Sequence, residues 1–391
     1  MSEESNVSRR EMFGGALALG LLVGGASAAN AVELIPESHE QGKKPAAKPA
    51  QKPAAKAAAP APTAPPAYPA DPPKTTVSCA VIGLGEQGRE VLKALDYLGN
   101  ADIKHIIDVY EPSHRRAGEI APKAATGTDY KAAIADASVK TIFVATPTHL
   151  HREIVVAALE AGKHVLCEKP LGLNATETEA MFKCASQHGR LLIEAVWGRW
   201  HPRFARMVEV VASGTIGAIE HIETAFTFTS EMTDNYRLNP AMGGGALLDV
   251  GCYQAHAWVA LTAGASDLEI SELSRAVGPT GIDLTTDVSV RINKSLTAHA
   301  VSSFALPSQQ QFIVRGSLGQ ISTEAGESFT TWNEACSLRI NDVVEEFPVT
   351  NAFVEMVENV SRVIDGDGGW LVSSADSIRV AHILDQIARH P

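Results

Sequence analysis

"VSCAVIGLGEQGREVLKAL", residues 77 to 95, runs from a short apolar stretch through three glycines into a helical pattern. Val77 to Ile82 reads as a buried strand, and the apolar residues after Gly88 recur at helical spacing. Between them lies Gly83-Leu84-Gly85-Glu86-Gln87-Gly88. Gly83 permits a tight turn and Gly85 lets backbone approach a pyrophosphate. Gly88 lets helix and strand pack closely, and the N–H groups of the first helical turn are offered to phosphates. A GxGxxG alone says little. Here a second strand, "DIKHIIDV" (102–109), brings Asp108 twenty residues beyond Gly88. A carboxylate at that place is suited to ribose hydroxyls and repels a 2′-phosphate, which favours NAD. Arg115 and Arg116 follow closely and keep NADP open.

Working outward, strands and helices keep alternating. "VKTIFVATP" (139–147), "HVLCE" (164–168) and "RLLIEAVW" (190–197) are strands. "HLHREIVVAALEAGK" (149–163) is a helix begun by His149 and His151, each expected as a surface or capping residue. "NATETEAMFKCASQHG" (174–189) is a second helix, opened by Asn174 with Glu177 at the capping-box position. This alternation predicts a doubly wound parallel sheet of Rossmann type over residues 76–197. Ligands of such sheets lie beyond the carboxyl ends of the strands. Thr146-Pro147 and Glu168-Lys169-Pro170 stand at two of those ends.

From about residue 198 the period changes. "GAIEHIETAFTFTS", "DVSVRINKSLTAHAVSSFAL", "QQFIVRGSLGQISTEA" and "CSLRINDVVEEFPV" alternate with period two. They predict a C-terminal α+β domain (198–391) with a large, mostly antiparallel open sheet. The uncovered face of that sheet is expected to carry alternating apolar residues. A last helix, about 373–389, is expected to pack back on the first domain. "AMGGGALLDVGCYQAHAWVALTAG" (241–264) reads as a helix behind a glycine hinge. Asp249 and Tyr253 are four apart and share a face, and His256 falls on the same stripe.

The 391 residues are 45% hydrophobic with a net charge of −12, and no basic run of five or more appears beyond residue 75. This excludes an electrostatic footprint for nucleic acid. Cys79, Cys167, Cys184, Cys252 and Cys336 form neither a CxxC nor a zinc-spaced cluster, so neither a metal site nor a disulfide frame is expected. At the N-terminus "SRREMF" (8–13) precedes "GGALALGLLVGGASAANA" (14–31). Twin arginines, a short apolar stretch and small-residue cleavage sites resemble a Tat-type export signal over 1–31, with an uncleaved anchor as the alternative. The expected location is the periplasm or another exported compartment, with no stable membrane span after cleavage. Residues 32–75, rich in Pro, Ala and Lys, read as an extended linker.

"AVIGLGEQG", "IIDVYEPSHRRA", "ATPTHLH", "ALEAGKHVLCEKPLGLN" and "GGGALLDVGCY" together resemble the Gfo/Idh/MocA oxidoreductase family from about residue 76 to 390. "EAVWGRWHP" (194–202) is similar to its dihydrodiol and xylose dehydrogenase branch. A signal followed by a Pro-rich arm is similar in arrangement to exported glucose–fructose oxidoreductase, whose arm sequence is not matched here. The resemblance implies that Lys169 is the catalytic lysine, that Asp249 holds and orients the substrate hydroxyl, and that Tyr253 is the acid/base. It implies that Thr146, Pro147, His149, Glu168, Lys169 and Pro170 line the dinucleotide together with the glycine loop. Trp197, Arg199 and Arg237 become candidates for contacts around substrate and nicotinamide. His256 receives no role. An ammonium about 4 Å from Tyr253 should favour phenolate by roughly three pKa units and bring it towards neutrality.

The implied activity is that of an exported NAD(P)-dependent oxidoreductase acting on a hydroxyl or carbonyl of a sugar or polyol. A redox glycosidase working on bound NAD and a non-catalytic binding protein are the alternatives. A homodimer or homotetramer is expected, because relatives bury the open sheet face between subunits. A tightly bound nucleotide is expected as well, because free NAD(H) is scarce outside the cytoplasm.

Overall fold

The computed structural model describes residues 77–99, 101–233, 235–263, 268–323 and 328–391. The expected signal and linker lie outside these residues. Strands β1 (Val77–Ile82), β2 (Ala101–Ile107), β3 (Ala125–Gly127), β4 (Thr141–Val144), β5 (His164–Glu168) and β6 (Leu192–Ala195) pair in parallel, in the order β3-β2-β1-β4-β5-β6. This is the dinucleotide-binding order, which reverses between β1 and β4 and so opens a cleft beyond their carboxyl ends. β4 and β6 are buried along their whole length, as strands covered on both faces must be.

The helices are α1 (Glu86–Leu98), α2 (Pro112–Ile120), α3 (Tyr130–Ala135), α4 (His151–Glu160), α5 (Ala175–Gln187), α6 (Pro202–Ala212), α7 (Cys252–Leu261), α8 (Ala352–Asp365) and α9 (Ser374–Arg389). α1 buries Gly88, Val91, Leu92 and Leu95, one stripe at helical spacing. Each large apolar side chain so buried contributes about 1.5–3 kcal/mol. The helix ends at Gly99, whose φ of 65° lets its N–H reach back to Leu95 and Asp96.

The second sheet has eight strands: β7 (Ile219–Thr227), β8 (Leu268–Val277), β9 (Asp283–Ile292), β10 (Leu296–Ser303), β11 (Gln309–Gly316), β12 (Gly319–Ser322), β13 (Cys336–Ile340) and β14 (Val343–Phe347). Their order is β14-β13-β12-β11-β7-β10-β9-β8, and only the β10–β7 pair is parallel. "DVSVRINKSLTAHAVSSFAL" is therefore the β9–β10 hairpin, turned at Asn293 and Lys294, which both hold positive φ. The covered face packs on α7, which is buried almost all round, as a helix without a polar face must be.

The opposite face corrects an expectation. Beside the apolar Val301 and Ile313 it carries a polar belt: His221, Glu223, Asp287, His299 and Thr297 form a hydrogen-bonded chain across β7, β10 and β9. The C-terminal segments also cross the division expected at residue 197. Phe353, Met356, Val357 and Val360 of α8 join the core built by Val91 and Leu95 of α1. α9 touches α5, with Asp385 accepting from the Ala175 N–H at 3.2 Å and His382 meeting Glu179 at 2.7 Å.

Candidate active site

The glycine loop owes its shape to steric necessity. Gly83 has φ of 91°, and a Cβ there would stand 2.4 Å from the Ala145 carbonyl oxygen. A Cβ on Gly88 would stand 1.9 Å from the Gly83 oxygen. A Cβ on Gly85 would meet nothing, so this glycine faces open space at the start of α1, where no side chain caps the helix. Leu84 is fully buried; its N–H donates to Asp108 Oδ2 at 2.7 Å, and its carbonyl accepts from Arg89 at 2.9 Å. Asp108 Oδ1 accepts from the Tyr110 N–H at 2.8 Å. The carboxylate expected at the ribose thus also pins the loop. Glu86 and Gln87 form the first turn of α1, and the charge of Glu86 bears on Arg237.

At the ends of β4 and β5, Thr146 Oγ1, His149 Nδ1 and Glu168 Oε1 are buried without a hydrogen-bond partner among the described residues. With the open approach at Gly85, these atoms fit a dinucleotide laid across the strand ends. Burial lifts the Glu168 carboxyl to about 7, against the pull of the neighbouring Lys169. The Lys169–Pro170 peptide is cis.

Lys169 carries its ammonium across to the second sheet's helix. Nζ donates to the Asp249 carbonyl at 2.6 Å and to Asp249 Oδ1 at 3.2 Å. The same Nζ lies 4.7 Å from the centre of the Tyr253 ring. Asp249 Oδ2 accepts from Arg237 Nε at 2.8 Å. The Lys169 and Asp249 side chains are only 8% and 14% exposed. Burial alone would discharge Lys169, but Asp249 above all pushes its pKa well above the lysine range. Burial likewise works against the Asp249 carboxylate, yet Lys169 and Arg237 hold it down at about 2.

Asp249 sits in a π-helical turn, Leu247–Gly251, that leads into α7. The helix expected behind the glycine hinge begins there, at Leu247, after the turn Pro240–Met242 and the three glycines. A Cβ on Gly244 would press on the Arg237 carbonyl at 2.5 Å, which is why small residues stand there. Asp249 and Tyr253 are joined through Lys169. Trp197 Nε1 donates to the Tyr253 hydroxyl at 3.1 Å.

Tyr253 corrects the expected phenolate. Burial outweighs the ammonium, which lies over the ring face, and pushes the hydroxyl up to about 12. Arg199 pairs with Asp376 at 3.2 Å, and its guanidinium lies over the Phe204 and Trp370 rings. It shares with Trp197, Tyr253 and His256 the wall of a cavity behind the tyrosine.

A model of the oxidoreductase family with the NAD-binding Rossmann fold matches residues 77–196, and a GFO/IDH/MocA C-terminal domain matches 204–322. The D-xylose 1-dehydrogenase (NADP(+)) 2 of Haloferax volcanii is 31% identical over 277 residues, 69% of this chain and 83% of that protein. The chain belongs to the Gfo/Idh/MocA oxidoreductase family. It is an NAD(P)-dependent oxidoreductase acting on CH–OH groups. A trans-1,2-dihydrobenzene-1,2-diol dehydrogenase of Mus musculus is 37% identical over 161 residues, 41% of this chain and 47% of that protein. A 3-ketoreductase from Actinomadura kijaniata, crystallised with NADP and TDP-benzene, superposes with a TM-score of 0.72 at 25% identity, over 80% of this chain and 97% of that one.

Several residues of this Gfo/Idh/MocA site escaped the sequence reading. His151, the first residue of α4, is fully buried rather than at the surface, and His149 stands in the turn before it. Glu194 Oε1 accepts from the Leu171 N–H at 3.1 Å, and Oε2 lies 3.2 Å from His256. Tyr236 lies under the Arg237 guanidinium. Asp283 Oδ2 accepts from the Leu247 N–H at 2.8 Å and so caps the π turn. The available signals were slight: a second histidine in "THLH", and a lone acid opening β9. Among the described residues no His, Cys, Asp and Glu group is placed to hold a metal, and no helix is long and apolar enough to cross a membrane. All five cysteines are buried, and none is in a disulfide.

Proposed function

We propose that this enzyme is exported, keeps its nucleotide bound, and moves hydride between it and a sugar or polyol, with Lys169, Asp249 and Tyr253 managing the reacting oxygen. The observation that carries this reading is the single ammonium of Lys169, which meets the Asp249 carboxylate and overlies Tyr253. The glycine loop, Thr146, Pro147, His149 and the Glu168-Lys169-Pro170 turn would hold the nicotinamide, which would supply or take the hydride when bound. The chain's own residues hold the oxygen and move its proton.

Tyr253 is protonated at neutral pH and is placed to give its proton to a carbonyl oxygen. The Lys169 charge offsets negative charge growing on that oxygen. Asp249, kept ionised, accepts a substrate hydroxyl and orients it. Trp197 fixes the direction of the tyrosine hydroxyl, and Arg237 fixes Asp249. This protonation state favours carbonyl reduction near neutrality and alcohol oxidation at higher pH.

Asp108 supports NAD as the nucleotide, although the xylose dehydrogenase and ketoreductase relatives carry NADP in their descriptions. The twin arginines and apolar stretch before residue 31 support export of the folded protein. A nucleotide that survives export and dilution needs a Kd of about nanomolar, roughly −12 kcal/mol. Assembly as a homodimer or homotetramer belongs to the same reading. The polar belt of the uncovered sheet face would then join through hydrogen bonds and ion pairs.

The test is to dialyse the purified protein and identify by mass spectrometry what it releases on denaturation. It is then assayed with an aldose plus a second sugar or ketone, with no nucleotide added. The expected result is stoichiometric NAD and ping-pong turnover. Nucleotide-free protein with activity strictly dependent on added NAD(P) overturns the bound-cofactor reading. Release of an aglycone without net redox identifies a glycosidase, and ligand-induced melting without turnover a binding protein.

A further inference from the structure

His151 bonds the backbone just past the two strands whose ends carry the cleft residues. Its Nε2 is 2.8 Å from the Thr146 carbonyl oxygen, at the end of β4. Its Nδ1 is 3.1 Å from the Pro170 oxygen and 3.2 Å from the Leu171 oxygen, just past β5. All three partners are backbone carbonyls, which only accept. A neutral imidazole has one N–H. In that form one ring nitrogen would turn its lone pair on a carbonyl oxygen, a repulsive contact at these distances. Only the doubly protonated ring satisfies both sides.

We infer that His151 is a proton-operated clamp: as imidazolium it ties the end of β4 to the turn after β5, and on losing its proton it releases one of them. The residues it spaces are those lining the dinucleotide, Thr146-Pro147 on one side and Glu168-Lys169-Pro170 on the other. Ala145, next to Thr146, also carries the oxygen against which Gly83 packs, so the clamp reaches the glycine loop. Nucleotide binding and protonation of His151 are therefore linked: the bound nucleotide favours the closed clamp and raises the proton affinity of the ring.

Several charged groups share this surrounding. Glu194 of β6 grips the far side of the Leu171 peptide and favours the imidazolium. Glu168 and Lys169 end β5. His149, Arg152 and Glu153 flank the ring on its own segment. Burial opposes all of this and pulls the ring below the ordinary histidine range, so the clamp works on the acid side of neutrality. Burial also keeps water from replacing the lost donor, so a released carbonyl must move.

The experiment follows the ring nitrogens of selectively 15N-histidine-labelled protein through a pH titration, with and without saturating NAD(H), using His151→Gln to assign the signal. The expected result is a His151 titration displaced upward by the nucleotide, with both nitrogens protonated in the complex at pH 5.5. In parallel, Kd for NAD(H) in the wild type should rise several-fold to about tenfold between pH 5.5 and 7.5, beyond the change shown by His151→Gln. Any slope left in that variant belongs to Glu168, which titrates in the same range. If His151→Gln does not fold, through-space contacts from its ring to Thr146 and Leu171 assign the signal in the wild type, whose titration decides. A ring that titrates identically with and without bound nucleotide, or carries a single proton throughout, overturns the clamp while leaving nucleotide binding itself intact.

Discussion

The two walls of the cleft differ in how far apart their parts lie along the chain. Leu84 and Asp108, which lock the glycine loop, are 24 positions apart on one strand–turn–helix–strand unit. Lys169, just past the end of β5, and Asp249, in the π turn before α7, are 80 apart. The first wall is shaped by sterics: a carbon added at Gly88 collides with the Gly83 oxygen, and one added at Gly83 with the Ala145 oxygen. The second is shaped by charge acting across the junction of two sheets, where burial and ion pairing oppose each other and the balance sets each protonation state. Damage to the first wall should therefore appear in nucleotide affinity and stability, and damage to the second in turnover.

The largest expected effect lies on the charged wall. Lys169→Met should reduce turnover at least about a hundredfold, the scale for losing a positioned charge. Nucleotide affinity should change much less. Arg237 still holds the Asp249 carboxylate, so the fold should persist. Steady-state kinetics beside nucleotide titration check both, and unchanged turnover removes Lys169 from the mechanism.

A smaller effect separates two glycines of the steric wall. Gly85→Ala places its methyl in open space at an ordinary φ of −61°, so melting without nucleotide should be unaltered while affinity falls roughly tenfold, or about 1.4 kcal/mol. Gly88→Ala drives its methyl into the Gly83 oxygen and must displace α1. It should lower the melting temperature as well. Equal behaviour of the two variants would show that the loop is more plastic than its contacts imply.

The smallest effect lies away from the cleft, on the polar sheet face. Burial works against the His299 cation, but Glu223 and Asp287 raise its pKa above the ordinary value. A raised folded pKa means that the stabilisation is full below the unfolded value near 6.5 and is lost as pH rises through the folded one. His299→Asn should thus melt roughly 2 °C below wild type at pH 6, with the gap closing by pH 8.5. A gap that widens with pH would reverse the assignment.

Much of this was readable in one dimension. Gly83, Gly85, Gly88 and Asp108 declare themselves by their spacing between a strand and a helix, and Lys169 stood out as a charge closing a buried strand. His151 did not, since a buried histidine and a capping one look alike until the carbonyls around the ring are known. Arg199 sits in the same short motif as Trp197, and its pairing with Asp376, far along the chain, could not be read there. The apolar alternation of "SLTAHAVSSFAL" told which residues of β10 face inward but not that His299 would meet Glu223 and Asp287 on the other face. The sequence by itself determined the parallel sheet, the glycine turn and the residue types at the strand ends, because these follow from periodicity and from residue spacing along the chain. Only the tertiary structure decided that Asp249 is held by two cations, that Tyr253 keeps its proton and that His151 faces carbonyls alone. Burial and charge at a point are summed over side chains that arrive there from every part of the chain.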